Sequence, residues 1–331
     1  MSTIDVQQLF FQQLKSKLPA HLALVDEIAE FLNISNDSAY RRIRGEKSIS
    51  FEELQKLCVK YNIYLDQLLH MNSNSFVFNG QLKTAAENSF EDWLGNILMQ
   101  LQLFNSHRRK HIYFLMKDIP PYVHFLMPEL AKFKFFFWMK SILHYKSLQG
   151  VKFDLDDTRY EKYEPTVKKI IELYLKIPMT EIWNVESIES TLRQIAFYRD
   201  AGSFKNPGDV KLLYNKVEEM INHLERQAEV GLKFCVNQEP EETSSEYGLY
   251  VNELILGDNT IMAELDDTRI TFLNYGVLFV VYTMDQRFND AMKDNLENLV
   301  KKSMMISKSG EKERVRFFNG LRQKISQYRD T

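Results

Sequence analysis

Residues 26–45 constrain the fold more than any other part of the chain. Apolar side chains recur at helical spacing on both sides of Asn33, a residue type that adopts the left-handed conformation of a sharp turn more readily than most. The small Ala29 lies where two helices joined by such a turn would touch. The segment therefore predicts two short helices packed across one another. Their shared core consists of Ile28, Leu32, Ile34, Ala39 and Ile43.

The second of these helices separates a packed face from a polar face. Ser35 is in position to cap it, and Asp37 lies in its first turn, where the helix dipole favours a negative charge. Opposite the core pair Ala39 and Ile43 lie amide, phenol and guanidinium groups, which read base edges or bind phosphates, with Arg42 beside them. A recognition helix needs this separation. The predicted DNA-binding residues are Ser35, Asn36, Asp37, Tyr40, Arg41, Arg44 and Lys47.

Further helices surround this pair. Pro19 ends the first of them, and Ser50 with Glu53 three residues later forms a capping box at the start of another. The polar residues 71–75 are typical of a linker. The predicted helices cover residues 4–18, 24–32 and 35–44, a stretch that opens at Ser50, and residues 65–69.

Residues 4–70 resemble the five-helix Cro/repressor type of DNA-binding domain, the XRE-like helix-turn-helix. Residues 39–46, Ala-Tyr-Arg-Arg-Ile-Arg-Gly-Glu, and residues 50–57, Ser-Phe-Glu-Glu-Leu-Gln-Lys-Leu, are most similar to the BetR-type N-terminal domain of bacterial regulators. The resemblance implies a DNA-binding transcriptional regulator. Two positions depart from the family pattern: Asn33 stands at the usual turn glycine, and Arg42 stands at a usually apolar position.

The predicted secondary structure changes along the rest of the chain. We predict a helix-turn-helix domain at 1–72, a linker at 73–84, a helical region at 85–235, and an α+β region at 236–331 that either stands alone or joins the helical region in one domain. The fold class is therefore mainly α with a smaller α+β C-terminal part, in which an antiparallel sheet is accompanied by helices. Strand candidates cover residues 111–116, 247–256, 260–265, 270–273 and 277–283.

The composition narrows the class of protein. The net charge is −3, from 42 basic and 45 acidic residues, so contact with nucleic acid requires a local basic patch. With 12 glycines and 8 prolines in 331 residues, helices are favoured. Cys58 and Cys235 make no disulfide framework, which indicates a reducing cytoplasm. We expect no secretory leader, and the charges within the apolar stretch 122–145 exclude a membrane span.

One short motif points to an enzyme. Residues 153–158, Phe-Asp-Leu-Asp-Asp-Thr, resemble the first motif of haloacid-dehalogenase-like phosphatases, which implies a nucleophilic Asp154 and an acid Asp156 with Mg²⁺ between them. The preceding residues lack the pattern of a buried strand, so a phosphatase is only a remote alternative. Other catalytic, cofactor and metal motifs are absent from the sequence. We therefore predict a non-enzyme without catalytic residues, cofactor or metal.

Two polar clusters have alternative interpretations. The basic residues 107–111 suit either an anionic effector or a solvated connector. A second cluster suits either a ligand site or a turn with its caps, and it comprises Asn252, Glu253, Asp258 and Asn259.

These observations predict a cytoplasmic transcription regulator that binds double-stranded DNA as a homodimer. Two linked half-sites raise the affinity and selectivity of a small helix-turn-helix. The region after it would dimerise, sense a small-molecule or protein effector, or contact a partner, and the aromatic residues 133–138 offer apolar surface for a dimer interface. The competing interpretation is that these aromatic side chains belong entirely to the internal core. The alternative is a helical interaction or scaffold protein with a vestigial DNA-binding domain.

Overall fold

The computed structural model describes residues 6–16, 18, 22–61, 63, 65, 76–80, 90–254 and 257–331. The chain forms two compact units, Met1–Val77 and Phe78–Thr331. It is mainly α-helical, with one mixed seven-stranded sheet in the second unit. Across the described ranges, no helix combines the length and apolar character needed to cross a membrane.

The first unit is built from short helices. They are α1 (Val6–Ser16), α2 (Leu24–Leu32), α3 (Asn36–Ile43) and α4 (Phe51–Tyr61). The buried residues of their small core are Phe10, Phe11, Leu14, Ile28, Ala29, Ala39, Leu57 and Ile63. Of the predicted shared core, Ile28 and Ala39 are buried, whereas Leu32, Ile34 and Ile43 are partly buried and pack against it. Pro19 and most of the predicted helix 65–69 and linker 73–84 lie outside the described residues.

The sheet of the second unit has parallel strands at its centre. Its strands are β1 (Lys110–Leu115), β2 (Met179–Trp183), β3 (Tyr247–Val251), β4 (Thr260–Leu265), β5 (Thr268–Asn274), β6 (Val280–Thr283) and β7 (Met304–Met305), in the order β6-β5-β4-β1-β2-β3-β7. β1, β2 and β3 are parallel neighbours, with Met179 opposite both Ile112 and Tyr247. The remaining pairings are antiparallel.

This mixed topology corrects the prediction of a purely antiparallel sheet in the C-terminal region. β1 and β2 come from the region expected to be helical, so that region and the C-terminal region share one sheet and one compact unit. Parallel strands require long crossover connections, and helices supply them between β1 and β2 and between β2 and β3. β1 was among the strand candidates, whereas β2 was not.

Helices cover both faces of this sheet. They are α5 (Phe90–Ser106), α6 (Pro121–His124), α7 (Pro128–Phe137), α8 (Glu164–Tyr174), α9 (Glu189–Asp200), α10 (Gly208–Val230), α11 (Gln286–Lys302) and α12 (Glu311–Arg329). A π-helical turn, Trp138–Ile142, continues α7. Because side chains alternate along a strand, Phe114 faces the large core under α5, α7, α8, α9, α10 and α12, and Leu115 faces a smaller cluster with Leu296 and Leu299 of α11.

The aromatic residues 133–138 lie in the large core, which is one of the two roles that the sequence left open for them, and so they do not offer surface for a dimer interface. Phe133, Phe135, Phe136 and Trp138 are buried, and Phe137 is partly buried. The rings of Phe153, Tyr198 and Phe204 pack against that of Phe133. Burial in its own core is the commonest fate of such side chains.

Candidate nucleic-acid interface

A left-handed residue sets the turn between α2 and α3. Asn33 has φ 53° and ψ 52°, as its side chain predicted. Its amide donates to the carbonyl oxygen of Glu30 at 3.2 Å, and the next amide, of Ile34, donates to that of Ala29 at 2.9 Å. Ala29 and Ala39 are both buried in the small core, so the two helices meet through small side chains. The turn fixes how α3 is presented.

The start of α3 is fixed by two side chains. The Ser35 hydroxyl accepts a hydrogen bond from the amide of Ser38 at 3.2 Å, the cap that the sequence predicted. Asn36 Nδ2 donates to Asp26 Oδ1 at 3.0 Å, which ties α3 to α2. Asp37 lies exposed in the first turn. Asn36 therefore has a positioning contact besides its predicted role at DNA.

Tyr40 and Arg44 form a pair on the outer face of α3. The side chain of Tyr40 is 46% exposed. Arg44 donates from its NH2 group to the Tyr40 hydroxyl at 3.0 Å, and the centre of its guanidinium lies 4.4 Å from the ring centroid. A weaker ion pair of 3.7 Å joins Arg44 to Glu46. The cation–π contact holds a cationic and a phenolic group side by side before any ligand binds.

Arg41 and Lys47 present uncommitted charges beside this pair. Both side chains are exposed, and neither makes a hydrogen bond or ion pair with any residue in the described ranges. Their main chains are joined, because the amide of Lys47 donates to the carbonyl of Arg41 at 3.1 Å. The predicted residues are thus brought together on one surface: Ser35, Asn36, Asp37, Tyr40, Arg41, Arg44 and Lys47.

Arg42 is not part of this surface, contrary to its expected place beside the polar stripe. It is 6% exposed, and its guanidinium binds Glu53 of α4 through Nε to Oε2 at 3.0 Å and through NH2 to Oε1 at 2.7 Å. Its NH1 group donates to the hydroxyl of Ser38 at 2.7 Å. Arg42 follows Ala39 by three residues and therefore lies on the packed side of α3. The guanidinium holds the pKa of Glu53 below its usual value.

Gln7 is a positioning residue that the sequence did not reveal. Its Nε2 donates to the carbonyls of Arg42 at 2.7 Å and Lys47 at 2.8 Å, and its Oε1 accepts from the amide of Ile49 at 3.0 Å. One amide of α1 thus fixes the loop that follows α3. The predicted capping box at Ser50 and Glu53 closes the same loop, with bonds of 3.1 and 3.2 Å.

The phosphatase-like segment lies outside the sheet. Phe153 makes only an isolated bridge with Phe204. Asp154 pairs with Lys205 at 2.5 Å and accepts from the amide of Asp156 at 3.2 Å. In the part of the chain that the structure describes, no group of His, Cys, Asp and Glu side chains is arranged to hold a metal ion. The segment therefore has the geometry of a capped surface turn.

Two side chains of the basic cluster 107–111 contact an acidic turn. His107 contacts Asp266 at 2.9 Å, and Arg109 pairs with Asp267 at 2.8 Å. Asn259 Oδ1 accepts from the amides of Lys117 and Asp118 at 2.8 and 3.0 Å. Asp266 and Asn259 thus act as turn and strand-end residues.

In comparisons with known proteins, the chain matches no family model, no curated protein and no solved structure.

Proposed function

We propose that the protein is a DNA-binding transcription regulator whose α3 enters the major groove. The observation that carries this proposal is the outer face of α3, where Tyr40, Arg41 and Arg44 lie together opposite the buried Ala39. The preceding turn is left-handed at Asn33, so α3 stands on α2 in a fixed orientation. A helix with one packed face and one face rich in donors suits recognition of base edges.

The side chains of this surface divide into two roles. Arg41 is exposed and unpaired among the described residues, so its planar guanidinium is free to bind the two acceptors of a guanine. Lys47 lies in the loop after α3 and suits a phosphate contact, which positions the protein without reading sequence. Two free cysteine thiols, Cys58 and Cys235, fit a cytoplasmic regulator.

Arg41→Ala and Arg44→Ala are expected to weaken specific DNA binding by about 1–3 kcal/mol each, which is roughly 5- to 150-fold in Kd. The full-length protein first selects its site from a random duplex library, and fluorescence anisotropy at moderate salt then measures the affinity of each variant. Arg41→Ala should also relax the preference at one base pair. Lys15→Ala, near the far end of α1 from Gln7, is the matched control for a lost surface charge and should bind as the wild type does.

The recognition-helix assignment is refuted if the protein selects no sequence from the library, or if both arginine variants bind DNA with unchanged affinity. If Arg41→Ala weakens binding to all DNA sequences equally, Arg41 contacts a phosphate and does not read a base. A folded protein that binds no duplex at low salt would favour the interaction-protein alternative.

We also propose that the second unit forms a homodimer through the exposed side chains of residues 275–284 at the β6 end of the sheet, where the main chain of Tyr282 is already bonded to that of Asn79. The segment 275–284 carries no charged residue, and its exposed large apolar side chains are Tyr275, Val277, Val280, Tyr282 and Met284. An uncharged apolar surface is self-complementary across a twofold axis and unfavourable in water. A pair of protomers supplies two recognition helices for two half-sites.

Sedimentation of the full-length protein at tens of micromolar is expected to show a dimer. Tyr282→Lys should shift it to monomer, because each protomer would bring a charge to an apolar contact. Leu254→Lys, which adds the same charge at another exposed apolar residue, should leave the dimer intact. A wild-type monomer, or a Tyr282→Lys variant that stays dimeric, would rule out this interface.

A further inference from the structure

A cleft opens in the second unit at the carboxyl ends of two parallel strands. Its volume is about 760 Å³, and it lies between the loop after β1, the start of α9 and the π-helical turn after α7. Ligands of α/β proteins bind at the carboxyl ends of parallel strands. Turns of π-helix are also frequent at functional sites. The lining side chains that matter below are Asp118, Phe137, Ser190, Arg193, Gln194 and Phe197.

The floor of this cleft is fixed by hydrogen bonds between the two strand ends. The amide of Met116 donates to the carbonyl of Ile182 at 2.9 Å, and the Ser187 hydroxyl donates to the carbonyl of Met116 at 2.7 Å. Asn259 holds the amides of Lys117 and Asp118 from the other side. A preformed floor lowers the entropic cost of binding.

Asp118 is the acceptor at this floor. It is half-buried beside Ser190, and burial raises the pKa of its carboxyl group. No basic side chain of the described ranges forms an ion pair with it. The positive charge of the buried Lys134 lowers the pKa of Asp118 and so opposes the effect of burial. The hydrogen bonds of the Lys134 ammonium, however, go to Thr191 at 2.9 Å and to Gln194 at 2.7 Å. The Asp118 oxygens therefore have capacity for a further donor.

Arg193 is the donor at the rim. It lies one turn after Ser190 on α9, which separates their Cβ atoms by about 5–6 Å. Its side chain is 72% exposed, with Nε committed to Glu189 at 3.0 Å. Its guanidinium also contacts the side chain of Tyr328, and its five N–H donors exceed these two partners. Asp118, which lies beside Ser190, and Arg193, one turn later on α9, thus line the same cleft.

The other charges around the cleft are already paired. Lys324 lies 2.6 Å from Glu186 and 3.3 Å from Glu189, and Lys117 lies 2.7 Å from Asp258. Two rings supply apolar walls: Phe137 is partly buried, whereas Phe197 is 65% exposed, which is unusual for a phenylalanine. A ligand would cover this ring.

We infer that the cleft binds a free α-amino acid with an apolar side chain. The ammonium group would bind Asp118, the carboxylate would bind Arg193, and the side chain would lie against Phe137 and Phe197. The ammonium and carboxylate of an amino acid match an acceptor and a donor that line the same cleft. This inference goes beyond the proposed DNA-binding function and does not depend on it, because it concerns the second unit alone.

The test uses L-phenylalanine as the probe and the full-length protein, with calorimetry and the thermal midpoint as readouts. L-Phenylalanine should bind the wild type and raise its midpoint, whereas phenylethylamine and 3-phenylpropionate, which each lack one charged group, should bind at least tenfold more weakly. Asp118→Asn should reduce the advantage of phenylalanine over 3-phenylpropionate. Arg193→Gln should reduce its advantage over phenylethylamine. Glu161→Gln, an exposed carboxylate outside the cleft lining, should leave all three affinities unchanged.

Three outcomes would overturn the inference. One is the absence of binding of L-phenylalanine and L-leucine to the wild type. Another is equal affinity for the three phenyl compounds, which would leave only an apolar contact. The third is that Asp118→Asn and Arg193→Gln change the affinities for phenylethylamine and 3-phenylpropionate by the same factor. Since the analogue comparison needs only the wild type, the test survives a variant that fails to fold, and failure to bind DNA would not affect it.

Discussion

Arg42→Ala is expected to lower the free energy of unfolding of the first unit by about 3 kcal/mol, because it leaves one partner of a buried ion pair alone. The guanidinium is 6% exposed and joins α3 to α4 through two bonds to Glu53. Its loss also removes a donor from the hydroxyl and carbonyl of Ser38. Arg41→Ala, the adjacent exposed arginine, should change the stability by no more than about 0.5 kcal/mol.

Hydrogen exchange of the α3 and α4 amides measures this loss within the intact chain. A change of about 3 kcal/mol corresponds to roughly 150-fold faster exchange through unfolding. If Arg42→Ala exchanges no faster than Arg41→Ala, the ion pair does not hold the two helices together.

The same pair has a defined pH dependence. Because Arg42 depresses the pKa of Glu53 below its ordinary value of 4.5, the stabilisation is complete above that value and is lost as the pH falls through the lower pKa of the folded state. Between those two values, the stability of the wild type should fall more steeply with decreasing pH than that of Arg42→Ala.

The features of the first unit that the sequence predicted all act over a few residues. Ser35 caps the amide three residues later, and Ser50 and Glu53 exchange bonds over the same distance. The turn depends on the conformational preference of Asn33 alone. Such features follow from residue type and spacing, so they can be predicted from the sequence without knowledge of the tertiary structure.

The features that the sequence did not reveal join distant residues. Arg42 meets Glu53 eleven positions later, and Gln7 reaches carbonyls 35 and 40 positions away. In the sheet, β1 pairs with β4 across some 150 residues, with Lys110 opposite Leu265. The sequence does not predict β2 because Glu181 interrupts its apolar residues. The cleft at Asp118 and Arg193 depends on these pairings, which local spacing does not encode.

Glu181 is acceptable at that buried position only because of the groups around it. It is fully buried in β2, and its Oε2 accepts from Trp183 Nε1 and the Tyr247 hydroxyl at 2.8 Å each. The nearby ammonium of Lys233 opposes the rise in the pKa of Glu181 that burial causes. Lys233 is itself 1% exposed and donates to the carbonyls of Tyr174 at 2.7 Å and Ile177 at 3.2 Å.

Lys233→Ala is therefore expected to destabilise the second unit by about 3–5 kcal/mol, since it removes the counter-charge of Glu181 and the donor that satisfies two carbonyls at the C-terminal end of α8. Urea unfolding followed by tryptophan fluorescence isolates this unit, because the three tryptophans of the chain, Trp93, Trp138 and Trp183, all lie in it. Lys168→Ala, at an exposed lysine on α8, is the control and should change stability by less than about 0.5 kcal/mol.

Adding Glu181→Gln to Lys233→Ala should recover part of the lost stability, because it removes the uncompensated charge but leaves the cavity unfilled and the two carbonyls without a donor. A double variant no more stable than Lys233→Ala would show that packing, rather than charge, accounts for the effect of Lys233.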